Sequence, residues 1–291
     1  MRLLYYNSDF RSITFVCAAI ATYAAQWSGL VRHPILYVAS LFLAFIGCVI
    51  NHNHQHHPTL IPRSLNKAFG VLISLAIGVP ATAIIPMHNL NHHVHNNHPE
   101  DFARASIVQF RWNLLNLLIY PFVALAGYLP TKSSELREWR TTRPQLYHQL
   151  MLERFVSYPT WIVLLVIQPI DALIYFAVPY LFGQWAIIAI NHVQHVGCDP
   201  DSEYNHSRNV VGGWLNWWAF NNGFHTVHHF RPNLHWSLLP KFHEEIREEI
   251  DPRLERKSAL LLLAEMYLWP GTIPDINEPR STENQAVSTA R

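Results

Sequence analysis

The chain has 291 residues, of which 50% are hydrophobic, 13% aromatic and only 14% charged. Soluble domains carry about 25% charged residues, so the composition favours a membrane part joined to a polar part and excludes an ordinary soluble globular protein. A formal net charge of +1 argues against nucleic acid as a partner. The three scattered cysteines exclude a disulfide framework and a CxxC metal site.

Apolar segments in chain order predict about four transmembrane helices, since a bilayer core needs about 20 helical residues. The apolar run at the start continues to Trp27 without a clear cleavage pattern, so we interpret it as a span rather than a signal peptide. A long apolar segment carries Pro169 and Asp171 near its middle, where a hairpin turn is expected. The predicted spans are 13–31, 34–50, 156–171 and 172–190.

Two further apolar segments, 68–87 and 114–129, are predicted to be re-entrant or interfacial. The first contains Gly78, Pro80 and Pro86, which suit a broken helix. A full crossing there would put the histidines at 52–57 and 88–98 on opposite membrane faces. The basic stretch Lys132–Arg154 contrasts with the lone Arg32 between the first two spans, and positive residues stay cytoplasmic. Both termini and all the histidine clusters are therefore expected on the cytoplasmic side.

The rest of the chain predicts a polar cap and a tail. The stretch Leu239–Leu268 is charged and has a helical pattern, which predicts an amphipathic helix. Residues 271–291 have the composition of a disordered tail. We therefore predict one membrane domain over residues 1–270, whose cytoplasmic cap is formed by 51–155 and 191–270.

Histidine is the outlier of the composition, with 19 copies. Most of them fall in four clusters: NHNHQHHP from Asn51, HNLNHH from His88, NHVQH from Asn191 and HTVHH from His225. Side chains at i, i+3 or i, i+4 on a helix point into the same space, and imidazole is a good ligand for iron, zinc and copper. One HxxHH alone is more often an accident of surface or core, but four clusters on one membrane face predict a metal site.

The chemistry of the clusters favours a dinuclear centre with open positions. Nine converging histidines exceed what one tetrahedral zinc uses. A soluble carboxylate-bridged di-iron site needs two Glu-x-x-His motifs, and the sequence has only Glu203–His206, in a polar loop. His33, His148, His206 and His243 are interpreted as solvated or polar-network residues. Supporting hydrogen-bond roles around the metals are predicted for a further set: His54, His57, His95, His98, His192, His235, Asp101 and Asn222.

In these residues the sequence resembles the membrane fatty acid desaturase and hydroxylase superfamily. That superfamily has three histidine boxes, which HNHQH, HNLNHH and HTVHH match in order. The cluster at Asn191–His195 is similar to the additional ligand site of stearoyl-CoA desaturase, and NNGFHTVHHFRPNLHWSLLP looks like the extended third box of bacterial acyl desaturases. The resemblance covers about residues 40–245.

The resemblance implies an all-α membrane protein whose helical cap holds two iron ions, with O2 as co-substrate. Asn191 would hold a metal-bound water, and His57 could replace His56 in the first box. The histidine ligands that it implies are His52, His56, His88, His92, His93, His195, His225, His228 and His229.

The implied function is O2-dependent desaturation of a fatty acyl chain that is free or linked to CoA, a carrier protein or a lipid. HHVHNNHPEDFARAS also looks like a signature of membrane alkane hydroxylases, so hydroxylation stays open, as does decarboxylation to a terminal alkene. A carotenoid-modifying oxygenase and a metal transporter are less favoured. The chain shows neither an HPGG haem signature nor a ferredoxin-like cysteine set. A separate ferredoxin, rubredoxin or cytochrome b5 with its reductase is implied as electron donor, and the basic stretch Lys132–Arg154 is the expected docking surface. The expected location is a bacterial inner membrane.

Overall fold

The computed structural model describes residues 2–268 and Ile276, excluding the side chains of residues 130–133. The predicted tail 271–291 lies, apart from Ile276, outside the described residues. The helices in chain order are α1 Asp9–Trp27, α2 Pro34–His56, α3 Arg63–Ile77, α4 His93–His95, α5 Asn113–Thr142, α6 Pro144–Ile167, α7 Pro169–Ala172, α8 Val178–His195, α9 Gly213–Trp218, α10 His225–Phe230, α11 Leu239–Ile246 and α12 Ala259–Tyr267.

Helix α2 lies at the centre of the bundle, where α1, α3 and α8 pack around it. Its contact with α8 is close because Gly183 has no side chain: a Cβ there would lie 2.7 Å from the backbone carbon of Ala44. Buried apolar side chains from these helices form one continuous core, to which Tyr23, Ile46 and Ile73 belong. The core fixes the relative height of α2 and α8, and both helices end in histidines.

Within the described residues, three helices are long and apolar enough to cross a membrane: Pro34–His56, Pro144–Ile167 and Pro169–His195, which joins α7, a π-helical turn and α8. Two bent pairs raise the number to as many as five. The fold is thus a mostly helical one with three to five candidate spans. Helix α1, which overlaps the predicted span 13–31, is not among them, so that span stays a prediction.

The hairpin predicted over residues 156–190 begins earlier in the structure than the sequence indicated. Helix α6 begins at Pro144, where proline suits the first helical turn, and not near residue 156. Its first half packs Leu150 against Leu136 and Trp139 of α5, which explains why this polar-looking stretch is helical. The break before the next helix falls at Gln168, and Asp171 just beyond it pairs with Arg32 at 2.7 Å.

Helix α3 and the segment after it form a bent unit rather than a straight span. The two halves, Arg63–Ile77 and Ala81–His95, meet at 77°. Gly78 ends α3 in the left-handed region, with φ of +77°, which glycine adopts at little cost. The break therefore occurs at the first of the three breaking residues named above, and it returns the chain toward the end of α2.

The region after α8 is built from short elements. Strands β1 Asn209–Val210 and β2 Glu255–Arg256 pair in parallel. The predicted helix over Leu239–Leu268 is wrong as one continuous element, because 3-10 turns and β2 separate α11 from α12. Pro252 starts one of those turns, and Asp251 caps it by accepting a hydrogen bond from the Arg253 amide.

Candidate metal centre

Nine histidine side chains meet in two neighbouring groups where α2 and α8 end. In each group, one ring nitrogen per residue lies within 4.8 Å of those of all the other members. The rings of His93 and His229, one from each group, stack with centroids 4.3 Å apart. The first group is His52, His56, His88, His93 and His228, and the second is His92, His195, His225 and His229.

Helical spacing explains most of this grouping. His52 and His56 occupy successive turns at the end of α2, and His225 and His229 do the same on α10. His228, on the same helix, belongs to the first group. One short helix therefore supplies histidines to both groups.

A π-helical turn over His88–His92 places the second histidine box. Residues i and i+5 of an α-helix point about 140° apart at 3.6 residues per turn, whereas a π-helix bonds i to i+5. The turn therefore aligns His88 with His93, whose Nε2 atoms lie 3.1 Å apart. His92 is left to face the other group.

The spacing of the nitrogens fits metal ligation. Nε2–Nε2 distances are 3.0 Å for His52–His228, His56–His88 and His195–His225. Two nitrogens bound at about 2.1 Å and at right angles lie about 3.0 Å apart. A neutral imidazole has only one N–H. Several Nε2 atoms that converge on one point therefore cannot all hydrogen-bond to one another, whereas a shared cation could bind all of their lone pairs.

The two ring nitrogens of His92 have different surroundings, and they fit a metal-binding histidine. Its Nδ1 hydrogen-bonds to Asp101 Oδ2 at 2.7 Å, and both side chains are buried. Its Nε2 is buried among the second group with no hydrogen-bond partner within the described part of the chain. A carboxylate that holds the outer nitrogen while the inner nitrogen points into a site is the usual arrangement of a metal-binding histidine.

Asp101 is itself fixed by the backbone. Its Oδ2 accepts from the Asn97 amide and its Oδ1 from the Ala103 amide, at 2.8 and 2.7 Å. Burial alone raises the pKa of Asp101, but the hydrogen bond and charge of His92 and these two amides together lower its pKa below the ordinary value. The carboxylate is thus ionised at neutral pH and available to orient His92.

The outer nitrogens of two other histidines are also held by oxygen acceptors. His195 Nδ1 lies 3.1 Å from the carbonyl oxygen of His206, and His52 Nδ1 lies 3.2 Å from Asn53 Oδ1. These contacts turn each Nε2 inward, which is the orientation that ligation requires.

The protonation of the third-box histidines suits ligation. Burial, followed by the charge of neighbouring histidines, lowers the pKa of His225, His228 and His229 well below the ordinary value. Their imidazoles are therefore neutral at pH 7, and only a neutral imidazole offers a free lone pair to a metal.

Asn191 lies one turn before His195 on α8 and lines a cavity shared with His92 and His225. Its Nδ2 donates to the Ala103 carbonyl at 2.9 Å and to the Tyr120 hydroxyl at 2.8 Å. Both amide hydrogens are thereby used, so the remaining polar atom of this side chain is an acceptor, Oδ1.

The predicted supporting residues separate into two sets. Asp101 touches a group member, and Asn222 lines the same cavity as His52 and His225. His192 is buried beside Asn191 on α8 and bonds the Tyr267 hydroxyl at 2.9 Å. His57 lies outside the groups, with Nδ1 on the Pro58 carbonyl, which leaves His56 as the grouped member of the first box.

The other predicted supporting residues lie elsewhere. His98 points away and lies 3.7 Å from Asp201, and His95 belongs to neither group. His54 bonds Thr59, and His235 bonds Asp9 and Ser237, at the base of α1. These four follow the histidine-rich sequence but lie on turns or faces that do not point at the two groups.

His206 lies beside the second histidine group, a position that the sequence did not indicate. The sequence interprets it as a solvated or polar-network residue; in the structure it is buried, and its ring lies 5.4 Å from that of His229. Burial, then the charge of His92, lowers the pKa of His206 to about 4. It lies alone in a polar loop, and no spacing signal connects it with the boxes.

The cavity beside the histidines is small and largely apolar. It holds about 80 Å³ and is lined by Ile84, Met87, Ile187 and Ile188 as well as by polar residues from both groups. A narrow apolar space at a metal-binding surface suits a hydrocarbon chain better than a polar substrate.

Comparison with known families agrees with this geometry. The fatty acid desaturase family matches residues 26–257, a range that contains both histidine groups. The chain belongs to this family and has a desaturase-like oxidoreductase scaffold with a site suited to metal. No curated protein matches the chain significantly.

Proposed function

We propose that the protein is a membrane non-haem di-iron enzyme that desaturates a fatty acyl chain with O2. The observation that carries the proposal is the convergence of nine imidazoles, at distances suited to cis ligands, beside an apolar cavity. The five-histidine group would hold one iron and the four-histidine group the other. Imidazole suits iron, and family membership favours iron over zinc and copper.

Two bound irons would supply O2 activation and an oxidant able to take hydrogen from an unactivated C–H bond. The chain's own residues set the conditions for that chemistry. Asp101 and the His206 carbonyl orient two ligands. Ile187 and Ile188 exclude water and hold methylene groups against the site, where placement within about 1 Å controls rate. The Asn191 oxygen offers one acceptor at the edge of the four-histidine group.

Family membership also supports the proposed surroundings. A long acyl substrate and a lipid environment follow from the family, and the histidines gather at helix ends rather than along a span, which disfavours a metal-transport path. We place the metal centre on the cytoplasmic side of a bacterial inner membrane. Electrons would come from a separate ferredoxin, rubredoxin or cytochrome b5 system, for which Arg137, Arg140 and Arg143 on and after α5 offer positive charge.

Product analysis tests the proposal. Purified protein in lipid nanodiscs would receive a surrogate ferredoxin and reductase, O2 and a panel of free, CoA-linked and carrier-linked acyl chains. Loss of two hydrogens, detected by mass spectrometry, is expected. Gain of oxygen would show a hydroxylase, and loss of carbon dioxide a terminal-alkene-forming decarboxylase; either result as the main product would overturn desaturation.

A matched pair of variants connects the product with the site. His228→Ala removes one imidazole of the five-histidine group, so turnover should disappear and iron content should fall by about half. His148→Ala, on an exposed position of α6, should keep both. Full turnover in His228→Ala would remove α10 from the metal centre.

A further inference from the structure

Two larger cavities adjoin the small cavity beside the histidines. An outer cavity of about 520 Å³ shares Ile190, Gln194 and Asn222 with it. A third cavity, of about 390 Å³, lies between α2, α5 and α8 and shares Phe45 and Val193 with the outer one. The shared lining residues place the three cavities side by side, from the histidines to the outer cavity, and we call the three together the apolar path.

The mouth of the outer cavity lies between α9 and α12. Trp214 of α9 and Leu260 of α12 both line it, and each is 78% exposed. Leu261 and Trp217 on the same two helices are also exposed. Tryptophan and leucine exposed in this way are typical of helices that lie in the membrane interface. The cavity therefore opens where acyl lipids reside.

One charged residue lines the outer cavity. Lys257 is the only acidic or basic side chain among its lining residues in the described part of the chain. The side chain is exposed, and none of the ion pairs within residues 2–268 involves it. Lys257 therefore brings a positive charge, unpaired within the described residues, to the edge of an apolar cavity.

The backbone at Lys257 is firmly held. It follows β2 directly, and the Val211 amide donates to the Arg256 carbonyl at 2.8 Å beside it. The loop before α9 packs so closely that a Cβ on Gly212 would lie 2.0 Å from the Lys257 carbonyl oxygen. The backbone of Lys257 is consequently held in a fixed position at the cavity mouth.

We propose that this mouth admits a non-esterified long-chain fatty acid from the membrane leaflet and that Lys257 binds its carboxylate. The inference rests on the proposed function for the identity of the chain as an acyl chain. A single ammonium group matches the single charge of a carboxylate, whereas a CoA thioester carries several phosphate charges and would call for several cations. The alkyl chain would lie in the apolar path, with part of it beside the histidine groups.

Binding measured without turnover tests the inference. Iron-loaded protein in nanodiscs would be titrated with palmitate against a displaced fluorescent fatty acid at pH 8. Lys257→Gln should weaken palmitate binding about tenfold, because a charge-assisted hydrogen bond at a partly exposed site is lost. Lys257→Arg should restore most of the affinity, and Lys241→Gln, an exposed lysine on α11, should leave it unchanged.

The ligand panel separates the possible head groups. Methyl palmitate has no charge, so its affinity should be the same for the wild type and for Lys257→Gln. Equal palmitate affinity in both proteins would overturn the inference, as would tighter binding of palmitoyl-CoA than of palmitate to the wild type. The binding assay and the product analysis described above are independent measurements. A charge-dependent affinity without desaturation would contradict the proposed function alone, while desaturation with unchanged affinity would contradict only the assignment of Lys257.

Discussion

At the scale of single residues, the grouped histidines differ in what holds the ring nitrogen that faces away from the proposed metal centre. Asp101 gives His92 a buried, ionised partner at 2.7 Å, while His195 has the carbonyl of His206 and His52 the amide of Asn53. A carboxylate makes the imidazole a stronger donor to metal than an amide does. The four-histidine group therefore depends on Asp101 more than the five-histidine group does.

Asp101→Asn is expected to weaken metal binding at the four-histidine group. All three partners of the carboxylate donate hydrogen bonds, so the amide NH2 of asparagine would face a donor. Affinity of that group for iron should fall about 10- to 100-fold, measured by chelator competition. Asp201→Asn, at an exposed carboxylate, is the control; equal iron affinity in Asp101→Asn and wild type would contradict the role.

The histidine pKa values predict a loss of stability in acid. His225, His228 and His229 have folded-state pKa values well below the unfolded value of about 6.5. Below pH 6.5 the unfolded chain binds protons that the folded chain does not, so the free energy of unfolding falls as pH falls. Above pH 6.5 both states are neutral and this effect disappears.

Iron-free protein should therefore lose thermal stability steeply between pH 7 and pH 5. Bound iron should oppose the loss, because a ligand of the folded state alone stabilises that state. Tryptophan-fluorescence melts in detergent, with and without iron, would measure Tm at each pH. A Tm of iron-free protein that stays constant from pH 7 to pH 5 would contradict the depressed pKa values.

At this scale the sequence predicted the grouped histidines better than it predicted which residues lie around them. All nine grouped histidines belong to the set that the family resemblance implies. Spacing alone did not assign them to the two groups, because His88 and His92, four residues apart, lie in different groups. His206 was missed because its position depends on the return of a loop against α8, which no local pattern encodes. His98 was included because it is near in sequence, although the turn at Asn96 and Asn97, both with positive φ, points it away.

At the scale of elements, the bend after α3 and the π-helical turn bring the second box to the first. Gly78 allows the bend, and a Cβ there would lie 2.1 Å from the Tyr180 ring. The hydroxyl of Tyr180 donates to the Leu75 carbonyl, which holds the ring against α3. The segment that carries His88 thus starts from a tightly packed corner.

Gly78→Ala is expected to destabilise the protein by at least about 2 kcal/mol, from the left-handed backbone and the displaced ring together. The change should also lower iron content, since it shifts the segment toward His88. The measurements are Tm in detergent and metal analysis. Gly127→Ala is the control, because a Cβ on Gly127 meets nothing within 4 Å and alanine favours helix; a Tm of Gly78→Ala equal to that of wild type would contradict the role of the corner.

Sequence patterns predicted the positions of the helices better than their type and their first residues. Breaking residues predicted the interruption of 68–87, and the observed bend begins at Gly78. The π-helical turn was not predictable, because hydrophobic periodicity does not distinguish it from α-helix within five residues. The early start of α6 was missed because Leu150 and Glu153 are buried by tertiary contacts within a polar-looking stretch.

At the scale of the whole molecule, the bundle has two chemically different ends. Arg32 before α2 pairs with Asp171 near the start of the helix that ends at His195. A helix of 23 residues is about 34 Å long, so this ion pair and the histidine groups lie at opposite ends. The proposed orientation puts the ion pair outside the cytoplasm and the metal centre inside it.

Labelling with a membrane-impermeant maleimide tests that orientation. In a Cys17→Ser background, Ser28→Cys beside Arg32 should react in intact spheroplasts, and Lys241→Cys on α11 should react only after permeabilisation. Both positions are exposed, so accessibility depends on the side of the membrane. The reverse pattern would invert the proposed topology.

The fold class was predictable from the sequence, whereas the arrangement of the path to the site was not. Apolar segments and histidine boxes indicated a helical membrane protein of this family, which the match over residues 26–257 shows. The cavity mouth depends on the meeting of α9 and α12, which are distant in sequence and are brought together by the pairing of β1 with β2. Long-range contacts of this kind leave no periodic signal.

The most direct test of the central claim is the metal content of the purified protein, measured by inductively coupled plasma mass spectrometry together with Mössbauer spectroscopy. One iron for each histidine group predicts about two iron ions per chain and a spectrum of two iron sites in nitrogen-rich surroundings. One metal ion per chain, or zinc in place of iron after expression with both metals supplied, would contradict a di-iron centre.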